Sequence, residues 1–133
     1  MTSKVDKKNG WSVDVCARPI QNSKLKMIRK DILLKGMTKD TVVNYASNFE
    51  RNLFTDPKVK DLKVISRYPD GIPHEFYYRM KFTGMSDRDC VLKFERNELD
   101  IGRICFVKSI EHPDYPPSKK VIRFGLYTGN HLY

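Results

Sequence analysis

Residues 74–123 contain four short segments in which large apolar or aromatic side chains alternate with polar ones. The segments cover residues 74–82, 90–94, 104–110 and 121–123, and polar turns separate them. A period of two is typical of β-strands with one buried face, and short turns join antiparallel neighbours. The pattern therefore predicts a curved antiparallel sheet whose concave side covers either a helix or a ligand.

Length and composition fit a single folded domain. The chain has 133 residues, of which 40% are hydrophobic and 11% aromatic, enough for one core but too short for two domains. No apolar run reaches the roughly 18 residues that cross a bilayer. Residues 1–10 are polar and contain lysine, without the apolar segment of a signal peptide. We therefore expect a cytoplasmic protein.

The chain is strongly basic. Its 25 lysines and arginines against 16 acidic residues give a net charge of +9, which favours an anionic partner such as a membrane surface or nucleic acid. No basic run interleaves with stacking aromatic residues in the manner of an RNA-binding sheet. The positive charge could be a solvated surface without a specific function, or it could contact anionic lipid headgroups. We expect no nucleic-acid partner.

No pattern of catalytic or metal-binding residues is visible. The three cysteines have no Cys-x-x-Cys spacing, the three histidines are scattered, and no phosphate-binding loop or cofactor motif occurs. In residues 86–89, Ser-Asp-Arg-Asp, carboxylates flank an arginine, which would lower their pKa values and make them poor general acids at neutral pH. We interpret these residues as a turn and the start of a strand, and we expect neither an enzyme nor a cofactor nor a metal site.

The first half of the chain gives a coarser outline. A flexible tail is predicted over residues 1–9, and a helix begins at Thr38 and carries apolar residues at helical spacing as far as Leu53. Asp70-Gly71 is a strong hairpin signal. Extended segments are predicted over residues 11–17, 25–34 and 62–68.

Alternation assigns the strand residues to faces. It places Phe76, Tyr78, Met80 and Phe82 together, and it opposes Ile104, Phe106 and Ile110 to Arg103, Cys105 and Val107. Each apolar position could pack in a core or line a ligand. Lys108 and Arg123 are polar exceptions. An inward-facing cation needs a carboxylate or a ligand oxygen, whereas outward-facing ones would be solvated or paired with Asp87, Asp89 or Glu111.

The order of four motifs resembles the START family, the steroidogenic acute regulatory protein-related lipid-transfer domains. The motifs are Gly-Met-Thr-Lys-Asp-Thr-Val at 36–42, Ser-Asp-Arg-Asp at 86–89, Ser-Ile-Glu-His-Pro at 109–113, and Pro116-Pro117 followed by Val-Ile-Arg at 121–123. Asn-Leu-Phe at 52–54 departs from the tryptophan-aspartate pair usual in the family. The resemblance implies an α+β helix-grip fold, as in START and Bet v 1-like proteins, with residues 10–133 forming a partial domain.

The resemblance also implies a function. It points to non-enzymatic binding and transfer of one sterol, phospholipid or sphingolipid, with peripheral contact to membranes. The alternatives are a protein-interaction scaffold with a filled cavity and a basic nucleic-acid-binding module. The predicted ligand-binding residues are Phe76, Tyr78, Met80, Leu92, Phe94, Phe106, Lys108, Arg123 and Phe124.

The sequence predicts no counterpart of the family's last elements, a C-terminal strand and a helix, before Tyr133. START-like domains close with a further strand and a long C-terminal helix that covers the concave face, and the expectation from this sequence is that this lid is absent. An uncovered apolar face usually finds a partner. A homodimer or strand exchange that covers the sheet is therefore a hypothesis of the sequence analysis.

Overall fold

The computed structural model describes residues 2–6, 9–100 and 102–132. The chain divides into two compact units, Met1–Thr38 and Lys39–Tyr133. No helix within the described ranges is long and apolar enough to cross a bilayer. In chain order the elements are β1 (Thr2–Asp6), β2 (Trp11–Pro19), β3 (Lys26–Leu34), α1 (Lys39–Ser47), a 3-10 turn (Phe49–Arg51), α2 (Asn52–Thr55), β4 (Val59–Arg67), β5 (Pro73–Met80), β6 (Arg88–Leu99), β7 (Gly102–Ile110), β8 (Ile122–Arg123) and β9 (Tyr127–Leu132).

The first unit contains the antiparallel sheet β1-β2-β3. Strands β2 and β3 pair from Trp11 opposite Leu34 to Pro19 opposite Lys26, which confirms the two extended segments predicted there. The expected tail over residues 1–9 contains β1, which pairs with β2; its residues 1, 7 and 8 lie outside the described ranges. Backbone pairing needs no apolar side chains, so the polar composition did not indicate this strand.

The predicted helix begins as expected but is interrupted. Strand β3 is followed by Gly36 at a φ of 76°, a backbone conformation that favours glycine. Helix α1 then ends at Ser47, and the Asn48 side chain accepts a hydrogen bond from the Arg51 amide at 3.3 Å. This cap starts the 3-10 turn that leads into α2. The apolar face that was predicted to run on to Leu53 is therefore divided between three short helical pieces.

The second unit contains the sheet β4-β5-β6-β7-β9, in which neighbours are antiparallel. The predicted Asp70-Gly71 hairpin is confirmed: the Tyr68 amide donates to the Ile72 carbonyl at 2.9 Å, and Gly71 has a φ of 87°. Strand β8 departs from the prediction because it pairs with β6 in parallel, after a long connection returns the chain alongside β6. Strand β9 corrects the expectation that the chain lacks a closing strand, because Tyr127–Leu132 pairs with β7 and extends the sheet.

One face of this sheet carries the core of the unit. The cross-strand pairs Phe76 with Leu92 and Phe94 with Val107 lie in it, and we call this side the interior face. The buried cluster consists of Leu62, Phe76, Cys90, Leu92, Phe94, Cys105 and Val107.

Candidate functional site

Six of the nine predicted ligand-binding residues lie on the interior side of the second sheet. Phe76, Leu92 and Phe94 are buried in its cluster, and Tyr78 and Phe124 are partly buried against it. Met80 follows Tyr78 by two residues on β5 and therefore shares its side of the strand. The structure thus packs five of these residues in or against one apolar cluster, and Met80 lies on the same side of β5, as alternation on β5 and β6 predicts for all but Phe124.

The structure places Phe106 on the opposite face, which corrects the expected alternation on β7. Its neighbours Cys105 and Val107 point into the interior cluster, and the ring of Phe106 lies 6.4 Å from that of Tyr127. The physical reason is that residues 104–107, Ile-Cys-Phe-Val, are apolar at every position, so a period of two does not distinguish the faces.

Lys108 also lies away from the interior. Its ammonium group is 3.1 Å from the Glu95 carboxylate. The ammonium group of Lys93, two residues before Glu95 on β6, is 3.4 Å from the same carboxylate. The hydrogen bond from Lys108 is the main reason why the pKa of Glu95 lies below its ordinary value. Lys108 therefore belongs to a surface ion-pair group on the outer face.

Arg123, the third residue off the interior, holds a buried carboxylate on the outer face. Its guanidinium donates to both oxygens of Asp89, which is 4% exposed, and to the Tyr115 carbonyl at 3.0 Å. The Tyr77 hydroxyl donates to the same carboxylate at 3.1 Å, and the rings of Tyr77 and Tyr115 stack with centroids 5.0 Å apart. Of the two alternatives for Arg123, pairing with an acidic neighbour is the one observed.

The same cluster shifts the titration of Tyr77. Burial, followed by the charge of Asp89 and the hydrogen bond to it, raises the pKa of Tyr77 to about 12. Next to it, Asp87 forms an ion pair with Arg79 at 2.6 Å. Residues 86 and 87 thus lead into β6, which begins at Arg88 as predicted for the start of a strand, and Asp87 and Asp89 each pair with an arginine.

The interior face is partly covered by side chains of its own unit. The ring of Phe49, in the 3-10 turn, stacks on Phe76 at 4.6 Å and meets Phe94 edge-on at 5.4 Å. The Tyr68 hydroxyl donates to the Phe94 carbonyl at 3.0 Å. Helical spacing places Phe49 on an apolar face but does not identify the residue that its ring contacts.

A cation missed by the sequence analysis lies on the interior side of β6. Arg96 follows Phe94 by two residues and pairs with Cys105 across the strands. Its guanidinium forms an ion pair with Asp70 at 2.6 Å and lies over the Tyr68 ring at 4.4 Å. The hydrogen bond from Arg96 is the main cause of a lowered pKa of Asp70.

Two clefts open elsewhere on the molecule. One, of about 350 Å³, lies in the first unit between Cys16, Ala17, Arg18, Met27 and Arg29. The other, of about 450 Å³, is lined by Glu111, His112, Pro113, Tyr115, Pro116, Pro117 and Arg123. Of the nine predicted ligand-binding residues, Arg123 lines the second cleft, and the other eight line neither cleft.

The two buried thiols of the second unit are protonated, and the described residues contain no metal ligand set. Burial raises the pKa of Cys90 to about 12 and also raises that of Cys105, so both thiols are protonated at neutral pH. In the part of the chain that the structure describes, no three histidine, cysteine, aspartate or glutamate side chains lie close enough together to hold a metal ion.

The strand order, the helices and the apolar interior face define a START-like helix-grip fold, as predicted. Human STARD10 has a crystal structure that matches with a TM-score of 0.73 at 19% sequence identity, over 96% of this chain and 52% of that one. The chain thus spans about half the length of this solved structure. No family model matches the sequence, and no curated protein matches it.

Proposed function

We propose that the chain is a non-enzymatic lipid-binding protein that holds one lipid against the interior face and exchanges it with membranes. The observation that carries the proposal is the START-like fold over 96% of the chain, with an apolar interior side on its central strands. Burying a lipid chain there would gain about 0.8 kcal/mol per methylene group, enough to compete with a bilayer for one molecule.

The polar part of the lipid needs partners at the edge of this face. Tyr78 is partly buried there, and burial raises its pKa, so its hydroxyl stays protonated and can donate a hydrogen bond. Arg96 supplies a cation on the same side, in place of Lys108 and Arg123. An anionic headgroup would compete with the exposed carboxylate of Asp70 for its guanidinium.

A scaffold with a filled interior is the second candidate, and the position of Phe49 favours it. Its ring already stacks on Phe76, where a lipid chain would make its contacts. A carrier must therefore move Phe49 or place the lipid beside it, whereas a scaffold would keep the stack permanently.

The proposed exchange takes place at the cytoplasmic surface of membranes. The net charge of +9 would draw the protein to an anionic leaflet, and this attraction should weaken with salt. A homodimer that covers an apolar face remains part of the proposal, and binding to nucleic acid does not. Light scattering after size exclusion measures the oligomeric state, and titration with labelled DNA or RNA measures binding to nucleic acid.

A matched pair of phenylalanine substitutions tests lipid binding on the interior face. The purified chain is incubated with a mixed lipid extract, re-isolated and examined by native mass spectrometry, which names any bound lipid by its mass. Phe124→Ala changes the interior side, and Phe106→Ala makes the same chemical change on the opposite face. We expect wild type and Phe106→Ala to carry one lipid and Phe124→Ala to carry less.

The outcomes separate the two candidates. A chain that stays empty while folded would favour the scaffold. Equal loss of lipid in both variants would place the lipid somewhere other than the interior face. Circular dichroism of each variant establishes that a change in bound lipid is not a loss of folding.

A further inference from the structure

The hairpin between β2 and β3 ends in a tip that is both basic and apolar. Residues 15–30 lie between Asp14 and Asp31 and contain no acidic residue. Their five cations are Arg18, Lys24, Lys26, Arg29 and Lys30. We call residues 18–30 the hairpin tip.

The apolar side chains of the hairpin tip are exposed. Leu25 is 71% exposed, Ile28 62% and Met27 48%, and Ile20 in the turn is exposed as well. Large aliphatic side chains normally gain free energy from burial, so a group of four in water indicates a surface that is covered in use.

The backbone presents these side chains at the end of a ribbon. The turn is closed by hydrogen bonds from the Ser23 amide to the Ile20 carbonyl at 3.1 Å and from the Leu25 amide to the Ser23 hydroxyl at 3.0 Å. On β3, Lys26, Ile28 and Lys30 alternate with Met27 and Arg29, so both sides of the ribbon carry apolar and basic groups. Such a tip can enter a surface end-on with cations on every side.

We infer that the hairpin tip is the surface by which this protein docks on an anionic membrane leaflet. The aliphatic side chains would lie at the boundary between headgroups and acyl chains, while the lysine and arginine side chains reach lipid phosphates and carboxylates. The inference deepens the proposed lipid exchange by naming its docking surface, but membrane docking can be measured whether or not the interior binds lipid.

Charge decides between a membrane and a second copy of the chain. Two tips packed together would bring the lysines of both copies into one apolar interface, within molecules that each carry a charge of +9. Like charges oppose such an interface, whereas an anionic leaflet is attracted by the same groups.

The test measures co-sedimentation of the full chain with vesicles of phosphatidylcholine and phosphatidylserine. Neutralising three tip lysines, as Lys24→Gln, Lys26→Gln and Lys30→Gln together, should weaken binding about 100-fold. The control variant Lys60→Gln, Lys119→Gln and Lys120→Gln makes the same change of net charge at exposed positions of the second unit. It should lose much less affinity.

A second variant tests the apolar part at unchanged charge. Leu25→Ser with Ile28→Ser should weaken binding about 10-fold or more, including at high salt, where the contribution of the lysines is screened. Both positions are exposed, so the variants should keep the circular dichroism of the wild type.

Three results would overturn the inference. These are no binding of the wild type to the anionic vesicles, equal losses in the tip and control lysine variants, or a dimer in light scattering that the Leu25→Ser, Ile28→Ser variant abolishes. Native mass spectrometry of lipid bound to the tip variants keeps the two proposals apart. A variant can lose docking while its interior still holds lipid, and a protein can dock on vesicles without holding lipid.

Discussion

Arg123 donates two hydrogen bonds to Asp89, from Nε to Oδ1 at 2.8 Å and from Nη2 to Oδ2 at 3.2 Å. Asp89 lies near the start of β6 and Arg123 lies in β8. The two residues are also opposite each other in the backbone pairing of these strands. The pair therefore joins the returning segment after β7 to the central strand of the sheet. Fork-to-fork geometry is the strongest form of such a pair.

Replacing Arg123 by leucine should destabilise the second unit substantially. The substitution leaves the Asp89 carboxylate buried without its guanidinium, and breaking a buried pair from one side costs about 3 kcal/mol. Arg79→Leu, which breaks the more exposed pair with Asp87, should cost much less because water screens that pair. Urea unfolding of both variants makes the comparison, and equal losses would contradict the central role of the Asp89 pair.

Tyr77 should make the protein sensitive to alkali. Its pKa is raised from 10.0 to about 12, so the folded state holds the phenol proton more tightly than the unfolded state. This contribution to stability is fully present below pH 10 and is lost as the pH rises through 12. Spectroscopic titration should find that Tyr77→Phe lacks the tyrosine with a pKa of about 12, whereas Tyr78, whose pKa burial also raises, titrates late in both proteins. Unfolding curves of Tyr77→Phe should fall less steeply with pH over this range.

Lys108 should affect a carboxylate and not a ligand. Since its hydrogen bond is the largest cause of the lowered pKa of Glu95, Lys108→Gln should raise that pKa toward its ordinary value of 4.5. The stability that Glu95 contributes is present above pH 4.5 and is lost as the pH falls through its lowered value, so the variant should lose less stability in acid. Carbon-detected NMR titration reads the pKa. If Lys108→Gln changed the amount of bound lipid while the pKa of Glu95 stayed the same, Lys108 would act on a ligand.

How far the sequence predicts the interior face depends on the strand. On β6, residues 89, 93 and 95 are charged, whereas 90, 92 and 94 are apolar, so alternation orients the strand correctly. On β7, four successive apolar residues remove this information, and only pairing with β6 shows that Val107 faces inward and Phe106 does not.

The remaining features depend on contacts between residues distant in sequence. Strand β1 is polar and is formed by backbone pairing with β2, which side-chain patterns do not report. The partner of Arg123 lies 34 residues away, and three acidic residues were equally good candidates by charge alone. Phe49 is one apolar residue among several at helical spacing, and its contact with Phe76 exists only once the 3-10 turn and the sheet have formed.

The last prediction concerns Phe49, whose ring covers Phe76. Phe49→Ala should cost about 2 kcal/mol of stability, because it removes a stacked, partly buried ring from the cluster. Phe54→Ala, at a position 89% exposed on α2, should cost nearly nothing and serves as the control.

The same two variants show whether Phe49 competes with a ligand. If a lipid chain takes the place of the ring, Phe49→Ala should carry more lipid than wild type in native mass spectrometry at limiting lipid, and Phe54→Ala should match wild type. A folded Phe49→Ala variant that gains no lipid would mean that the ligand lies elsewhere on the interior face, or that this interior is a packed core and the fold serves as a scaffold.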